Sequence, residues 1–210
     1  MGRYNQPIGV HCHNDSGLAA ANTLMAVSAG ALHVQGTING VGERCGNVSL
    51  ATVLPNLVLK MKKETKTKLN LTDLSSLVKF TYDIMNMHPD TQAPFIGKSA
   101  FAHKGGIHVS AVMKDSNMYE HIDPKLVGNK QRVLVSDLSG KSNISFKANE
   151  LDIKYKDSKE ITGKLVSKVK DLEFEGYQFE AADASLELIL RELSGEYSPF
   201  FKVLDSKVHI

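Results

Sequence analysis

Up to residue 63 the apolar positions switch between a strand-like rhythm and a helical one. Pro7 to His11 is a short apolar run ending in polar residues, the pattern of a strand. Gly17 to Ala29 places Leu18, Ala21, Leu24, Met25 and Val27 at helical spacing, and Gly30 stands where a helix-ending glycine belongs. Leu32 to Gly36 reads as a second strand, followed by a glycine-rich loop, Gly36 to Gly46. Val48 to Lys63 then reads as a helix with Leu50, Val53, Leu54, Leu57, Val58 and Met61 on one side and Asn47 as its cap. Strand, helix, strand, helix at this spacing predicts two consecutive β/α units of a parallel α/β fold. Two units close nothing, since a (β/α)8 barrel needs eight and about 250 residues. The expectation is therefore a stretch from the middle of a larger protein.

Beyond Lys63 the pattern changes. Glu64 to Asn70 is polar and Lys-rich, a linker. Thr72 to Met87 predicts a helix with Leu74, Leu77, Val78, Tyr82 and Met85 on its apolar stripe. Gly97 to Gly128 mixes Gly, His and Lys without a readable period, and Arg132 to Val135 suits a short strand. Three amphipathic helices are predicted near Lys141 to Leu151, Glu160 to Phe174 and Ala181 to Leu193. Pro199 then opens a strand-like run, Phe200 to Ile210.

Composition narrows the class. Of 210 residues, 42% are hydrophobic and 23% charged, enough apolar material for a core and too much for disorder. The net charge of +2 argues against nucleic-acid binding through a strong basic field. No apolar run reaches the roughly 20 residues that span a bilayer, so no membrane partner is expected. The first residues carry no apolar signal core. Two cysteines, Cys12 and Cys45, cannot build a disulfide framework, which points to the cytoplasm.

Three clusters can carry chemistry. In His11-Cys12-His13-Asn14-Asp15, a strand gives way to the loop before a helix, the ligand-binding edge of parallel α/β folds. Histidines two apart on a strand share a face, so their imidazoles can take one divalent ion, with Asn14 and Asp15 orienting the rings. The alternative is a pair of hydrogen-bonded histidines at a strand end. Gly40-Val41-Gly42-Glu43-Arg44-Cys45-Gly46-Asn47 lies at the same end of the sheet. Its glycines admit close approach of backbone to ligand, or else simply make a tight turn. Asn47 can ligate a metal weakly or cap the helix. In the third cluster, Ala102 to His108 with Tyr119, His108 can serve as a general base and Tyr119 as a hydrogen-bond or proton donor. An ordinary surface loop is the alternative. Cys12 and Cys45 read as packing residues near the site.

Together the three clusters resemble the 2-isopropylmalate, homocitrate and citramalate synthase family. His11-Cys-His-Asn-Asp-Ser-Gly-Leu-Ala-Ala-Ala-Asn22 is similar to the first signature of that family, and Gly36-Thr-Ile-Asn-Gly-Val-Gly-Glu-Arg-Cys-Gly-Asn47 to the second. Gly97 to Val112, Tyr119 to Gly128 and Glu175 to Ser185 look most like the citramalate branch.

The resemblance implies a fold and a reaction. Residues 1–63 would be the last two β/α units of a TIM barrel, 64–195 a linker and helical subdomains, and 196–210 the start of a C-terminal regulatory domain. The reaction would be a metal-assisted Claisen condensation of acetyl-CoA with a 2-oxo acid, pyruvate giving citramalate, in branched-chain amino-acid biosynthesis. A divalent metal (Zn, Mn, Mg or Co) would be held by His11, His13 and Asn47. Asn14, Asp15 and Glu43 would lie behind it or in the substrate loop. His108 and Tyr119 would be catalytic, reaching over the barrel of the other protomer of a homodimer. The metal-binding Asp, catalytic Arg and barrel Glu of the family belong to strands ahead of this stretch, so the chain alone is expected to be inactive and only partly ordered over 1–63. The alternatives are 2-isopropylmalate or homocitrate synthase and, in another class, a non-catalytic dimerisation module.

Overall fold

A computed structural model describes residues 6–135, 141–151, 159–179 and 182–208. These fall into two compact units, each discontinuous in sequence. The first comprises residues 1–102 and 120–132, the second 103–119 and 133–210.

The first unit opens with β1 (Gly9–His11), α1 (Ala19–Ser28) and β2 (His33–Gln35). The strands pair in parallel with Gly9 opposite His33, Val10 opposite Val34 and His11 opposite Gln35. A parallel pair needs a crossover, and α1 supplies it. Gly30, at φ +109°, turns the chain just past the end of α1. The glycine-rich loop leads into α2 (Leu50–Pro55). Ala19, Val48, Val53 and Leu57 form the core between α1, α2 and the strands, with Cys12, Leu24 and Val34 packed against it.

Two expectations about the second helix need correction. It starts at Leu50, with Ser49 rather than Asn47 at the cap position, and the Ser49 hydroxyl donates to the Ile38 carbonyl at 3.1 Å. The α-helix also stops at Pro55 and gives way to a π-turn over Asn56–Lys60. Proline brings no N–H to the ladder, so the regular bonding pattern breaks there. The Asn56 amide donates to the Thr52 carbonyl at 2.9 Å and helps to pair the backbone at the break.

Helix α3 (Leu74–Ile84) buries Leu74, Val78 and Tyr82 against Ala51. Leu77, on the expected stripe, is left largely exposed. Residues 89–101 and 120–132 complete the unit around Phe95, Phe101 and Val127.

The boundary between the units falls within β3 (Ala102–His103) and β4 (Arg132–Val133). The second unit contains α4 (Gly106–Lys114), α5 (Lys141–Glu150), α6 (Lys159–Phe174) and α7 (Asp183–Ser194). Its core joins Val135, Ile144, Leu165, Val169, Phe179, Leu186 and Leu190. The Asn143 amide lies buried among them and donates to the carbonyls of Lys104 (2.8 Å) and Leu134 (2.9 Å). Residues 201–208 form no regular element and are exposed, contrary to the strand expected there. Strand backbone needs a partner ladder, and no other described strand pairs with this segment. Residues 209–210 of that expected strand lie outside the described residues, as do Glu180 and Ala181 of the expected stretches nearby.

Candidate active site

The first cluster sits at the carboxyl end of β1. The His11 and His13 rings lie on one side of the extended chain, their centroids 5.1 Å apart and their planes at 78°. Cys12, between them, points the other way and packs against the core of the first unit. Alternation along extended backbone thus gives two exposed imidazoles and a half-buried thiol.

The glycine-rich loop folds back beside this segment. His13 and Asn47 pair as an isolated antiparallel bridge. The Asn14 N–H donates to the Gly46 carbonyl at 2.9 Å, and the Val48 N–H to the Cys12 carbonyl at 2.9 Å. Two glycines make this closeness possible. A Cβ on Gly46, whose φ is +87°, would stand 2.1 Å from the Gly40 oxygen, and one on Gly42 would stand 2.6 Å from the Asn47 amide nitrogen.

The Asn47 amide carries the main clue. Its Nδ2 donates to the Val41 carbonyl at 3.1 Å. Its Oδ1 is buried and accepts no hydrogen bond. A buried acceptor without a donor costs free energy unless something else satisfies it. A cation would do so. Two imidazoles and an amide oxygen on adjoining backbone segments fit a divalent ion. Among the described residues no third His, Cys, Asp or Glu completes a cluster able to hold a metal.

Asp15 and Arg44 lock the two loops together. Arg44 Nε donates to Asp15 Oδ1 at 2.8 Å and Nη2 to Oδ2 at 3.0 Å. The fork holds the Asp15 carboxyl below its ordinary pKa and raises the guanidinium. Asn14 accepts the Ala19 N–H at 3.3 Å and so ties the strand end to the first turn of α1. Glu43 lies 3.6 Å from Arg44 Nη1 and is exposed. Cys45, expected to pack near the site, is exposed too. Of this loop, sequence reading singled out Glu43 and missed Arg44. The signal was an arginine in one loop and an aspartate in the other at one end of a sheet.

His108 and Tyr119 belong to the second unit, where α4 and the following 3-10 turn, Ser116–Met118, bring them together. Their ring centroids are 4.5 Å apart with planes at 37°. The His103 ring approaches Tyr119 from another direction, with centroids 6.5 Å apart. Sequence reading gave His103 no role. Both His108 and Tyr119 are exposed, as groups that meet a substrate must be.

Comparison with known proteins agrees with the motifs. The HMGL-like family model matches residues 3–80, and that of the homocitrate synthase post-HMGL domain-like family matches residues 95–176. The chain is 49% identical over 202 residues to the (R)-citramalate synthase of Geobacter sulfurreducens. It is 50% identical over 202 residues to that of Synechocystis. The chain belongs to the 2-isopropylmalate, homocitrate and citramalate synthase family. Each of those two alignments covers 96% of this chain, but only 38% and 37% of the relative. The chain thus spans somewhat over a third of the length of the curated relatives it matches. A 2-isopropylmalate synthase of Methanocaldococcus jannaschii is also similar, at 37% identity over 203 residues, 95% of this chain and 38% of the relative. An HMGL-like match implies a TIM-barrel type of α/β fold. The described residues are mixed helix and strand and contain no closed barrel.

Proposed function

We propose that this chain is the part of an (R)-citramalate synthase that holds the metal and supplies two proton-handling residues. The observation that carries the reading is the buried, donor-free Oδ1 of Asn47 on the segment bridged to His13, with the His11 ring alongside. Relatives named (R)-citramalate synthase at 46–50% identity support the choice of pyruvate. Residues 1–63 are then the last two β/α units of the barrel, 64–195 the linker and subdomains, and 196–210 the start of a regulatory domain. The protein works in the cytoplasm as a homodimer.

In the reaction, a methyl C–H of acetyl-CoA is deprotonated and the carbon bonds to the ketone carbon of pyruvate. The thioester is then hydrolysed, releasing CoA thiol and citramalate. His11, His13 and the Asn47 amide oxygen would hold the divalent ion. The ion, when bound, acts as a Lewis acid toward the 2-oxo acid. The Asp15–Arg44 fork fixes the two loops on which those ligands stand. His108 takes or returns a proton at a ring nitrogen, and Tyr119 donates a hydrogen bond from its hydroxyl. As the resemblance implies, both serve the barrel of the other protomer.

The test is CoA-thiol release by the full-length protein with pyruvate, 2-oxoisovalerate and 2-oxoglutarate. Pyruvate is expected to give the highest kcat/KM. A preference for either of the others overturns the citramalate reading.

A further inference from the structure

In the second unit a third ring, that of His103, stands beside the pair formed by His108 and Tyr119. Its centroid lies 6.5 Å from that of Tyr119, with the planes at 66°. This edge-on pairing falls within the roughly 4.5–7 Å over which aromatic rings attract one another. His108 meets the same Tyr119 ring at 4.5 Å and 37°. The chemistry assigned to His108 and Tyr119 leaves His103 without a task.

The three residues differ in how firmly they are held. Tyr119 follows a single 3-10 turn, Ser116–Met118, and its N–H donates to the Ser116 carbonyl at 3.2 Å. The residue is 48% exposed. A phenol in that position has more than one rotamer open to it. His108 is exposed as well, so contact between these two rings alone leaves both free to swing. His103 is half-buried and belongs to β3. The Leu134 N–H donates to its carbonyl at 2.9 Å. One residue on, the Lys104 carbonyl accepts the buried Asn143 amide at 2.8 Å, and the same amide reaches the Leu134 carbonyl at 2.9 Å. Asn143 thus ties the His103 segment and its strand partner to α5. Gly105 then leads into α4, which the buried Val109 and Val112 pin to the unit. His103 therefore stands on a fixed base, and Tyr119 leans on it.

We infer that His103 is a positioning residue: its ring edge restricts Tyr119 to the orientation in which the phenol packs on His108. An aromatic pair of this kind biases a rotamer balance by about two- to tenfold. Misplacing a hydrogen-bond donor costs rate steeply, so the bias reaches turnover. His103 acts through Tyr119 alone, and this role rests on Tyr119 being the hydrogen-bond donor of the condensation.

Two substitutions in the full-length protein test it. His103→Leu and His103→Phe are both apolar and of similar bulk, so they share any packing loss and differ in the ring edge. His103→Leu should lower kcat by about fivefold, with the KM for pyruvate and the metal affinity unchanged. His103→Phe should restore kcat to within about twofold of the parent. In the Tyr119→Phe protein, His103→Leu should change nothing further, because the hydroxyl it places is gone. A fluorine on the Tyr119 ring reads the placement without turnover: its resonance should narrow in His103→Leu, as the ring gains freedom, and stay broad in His103→Phe. A line width indifferent to His103→Leu overturns the inference. So does equal kcat for the two His103 variants in a protein that depends on the Tyr119 hydroxyl, or a loss that persists undiminished in the Tyr119→Phe protein. A narrowed line together with full activity of Tyr119→Phe supports the placement and counts instead against the proton-handling role of Tyr119.

Discussion

The carboxylate of Asp15 and the guanidinium of Arg44 meet in a two-bond fork that joins the loop after β1 to the loop after β2. Both groups are about half exposed, so the fork adds geometry more than stability. Arg44→Met should leave the Tm almost unchanged and weaken divalent-metal binding by about tenfold, through looser placement of His13 and Asn47. Competition against a chromophoric chelator in the full-length protein reads this directly. An unchanged metal affinity would reduce the fork to a surface ion pair.

Asn47→Leu keeps roughly the side-chain volume and removes both the orphaned oxygen and the donor to Val41. Metal affinity and turnover should fall together, by about tenfold or more. Asn47→Asp should retain metal binding, because the carboxylate offers an oxygen at the same place. If Asn47→Leu binds metal like the parent protein, Asn47 is not a ligand.

Tyr119→Phe removes one hydroxyl and keeps the ring that packs on His108. The kcat should drop by about a hundredfold while metal affinity stays constant. A loss confined to KM would make Tyr119 a binding residue only.

In the second unit, Lys147 is buried to 7% side-chain exposure and contacts Glu150 at 2.8 Å and Asp183 at 3.0 Å. Burial lowers its pKa, but the two carboxylates outweigh that and leave the pKa raised. The two ends of this pairing are unequal. Removing both carboxylates, as Glu150→Gln/Asp183→Asn, strands a buried ammonium and should cost about 3 kcal/mol. Lys147→Met removes the buried charge and keeps the apolar stem, and should cost less than about 1 kcal/mol. Urea unfolding of the three proteins gives both numbers, and equal losses would contradict the asymmetry.

His121 offers a pH test. Its ring stacks on Phe101 at 5.9 Å and meets Phe95 edge-on at 5.0 Å. The residue is exposed overall, but the partial desolvation of its ring first, and then the charge of Lys60, lower its pKa. The unfolded chain therefore takes the proton more readily. Stability is full above about pH 6.5 and declines as the pH falls from there through the folded pKa. The urea midpoint should show this decline in the parent protein and less of it in His121→Phe. An identical decline in both would assign it to other groups.

Helices that carry an apolar stripe were legible in the sequence. α1, α3 and the three later helices fall where their periodicity placed them, as do β1 and β2. Residues 97–128 were not legible, because they consist of a two-residue strand, one nine-residue helix and tight turns. Such short elements are held by remote contacts, such as that of Ser75 with Val127, which no local pattern records. Pro55 stood in plain view inside a helical run, yet its π-turn depends on how the Asn56 amide finds Thr52. At the candidate site, the side-by-side placement of His11 and His13 followed from alternation alone. Arg44 did not, because its role depends on two distant loops meeting.

Each compact unit is assembled from two separated stretches of chain, which sets an order on biosynthesis. A ribosome that has delivered residues 1–102 has not yet made Val127, which the cluster around Phe95 and Phe101 requires. It must first release 103–119, the stretch bearing His108 and Tyr119, and then return to 120–132. Closure of that cluster is therefore a late, long-range event, and the nascent chain keeps Phe95 and Phe101 without their partner until then. A stalled or prematurely cleaved product ending near Ala102 would be a ready client for chaperones.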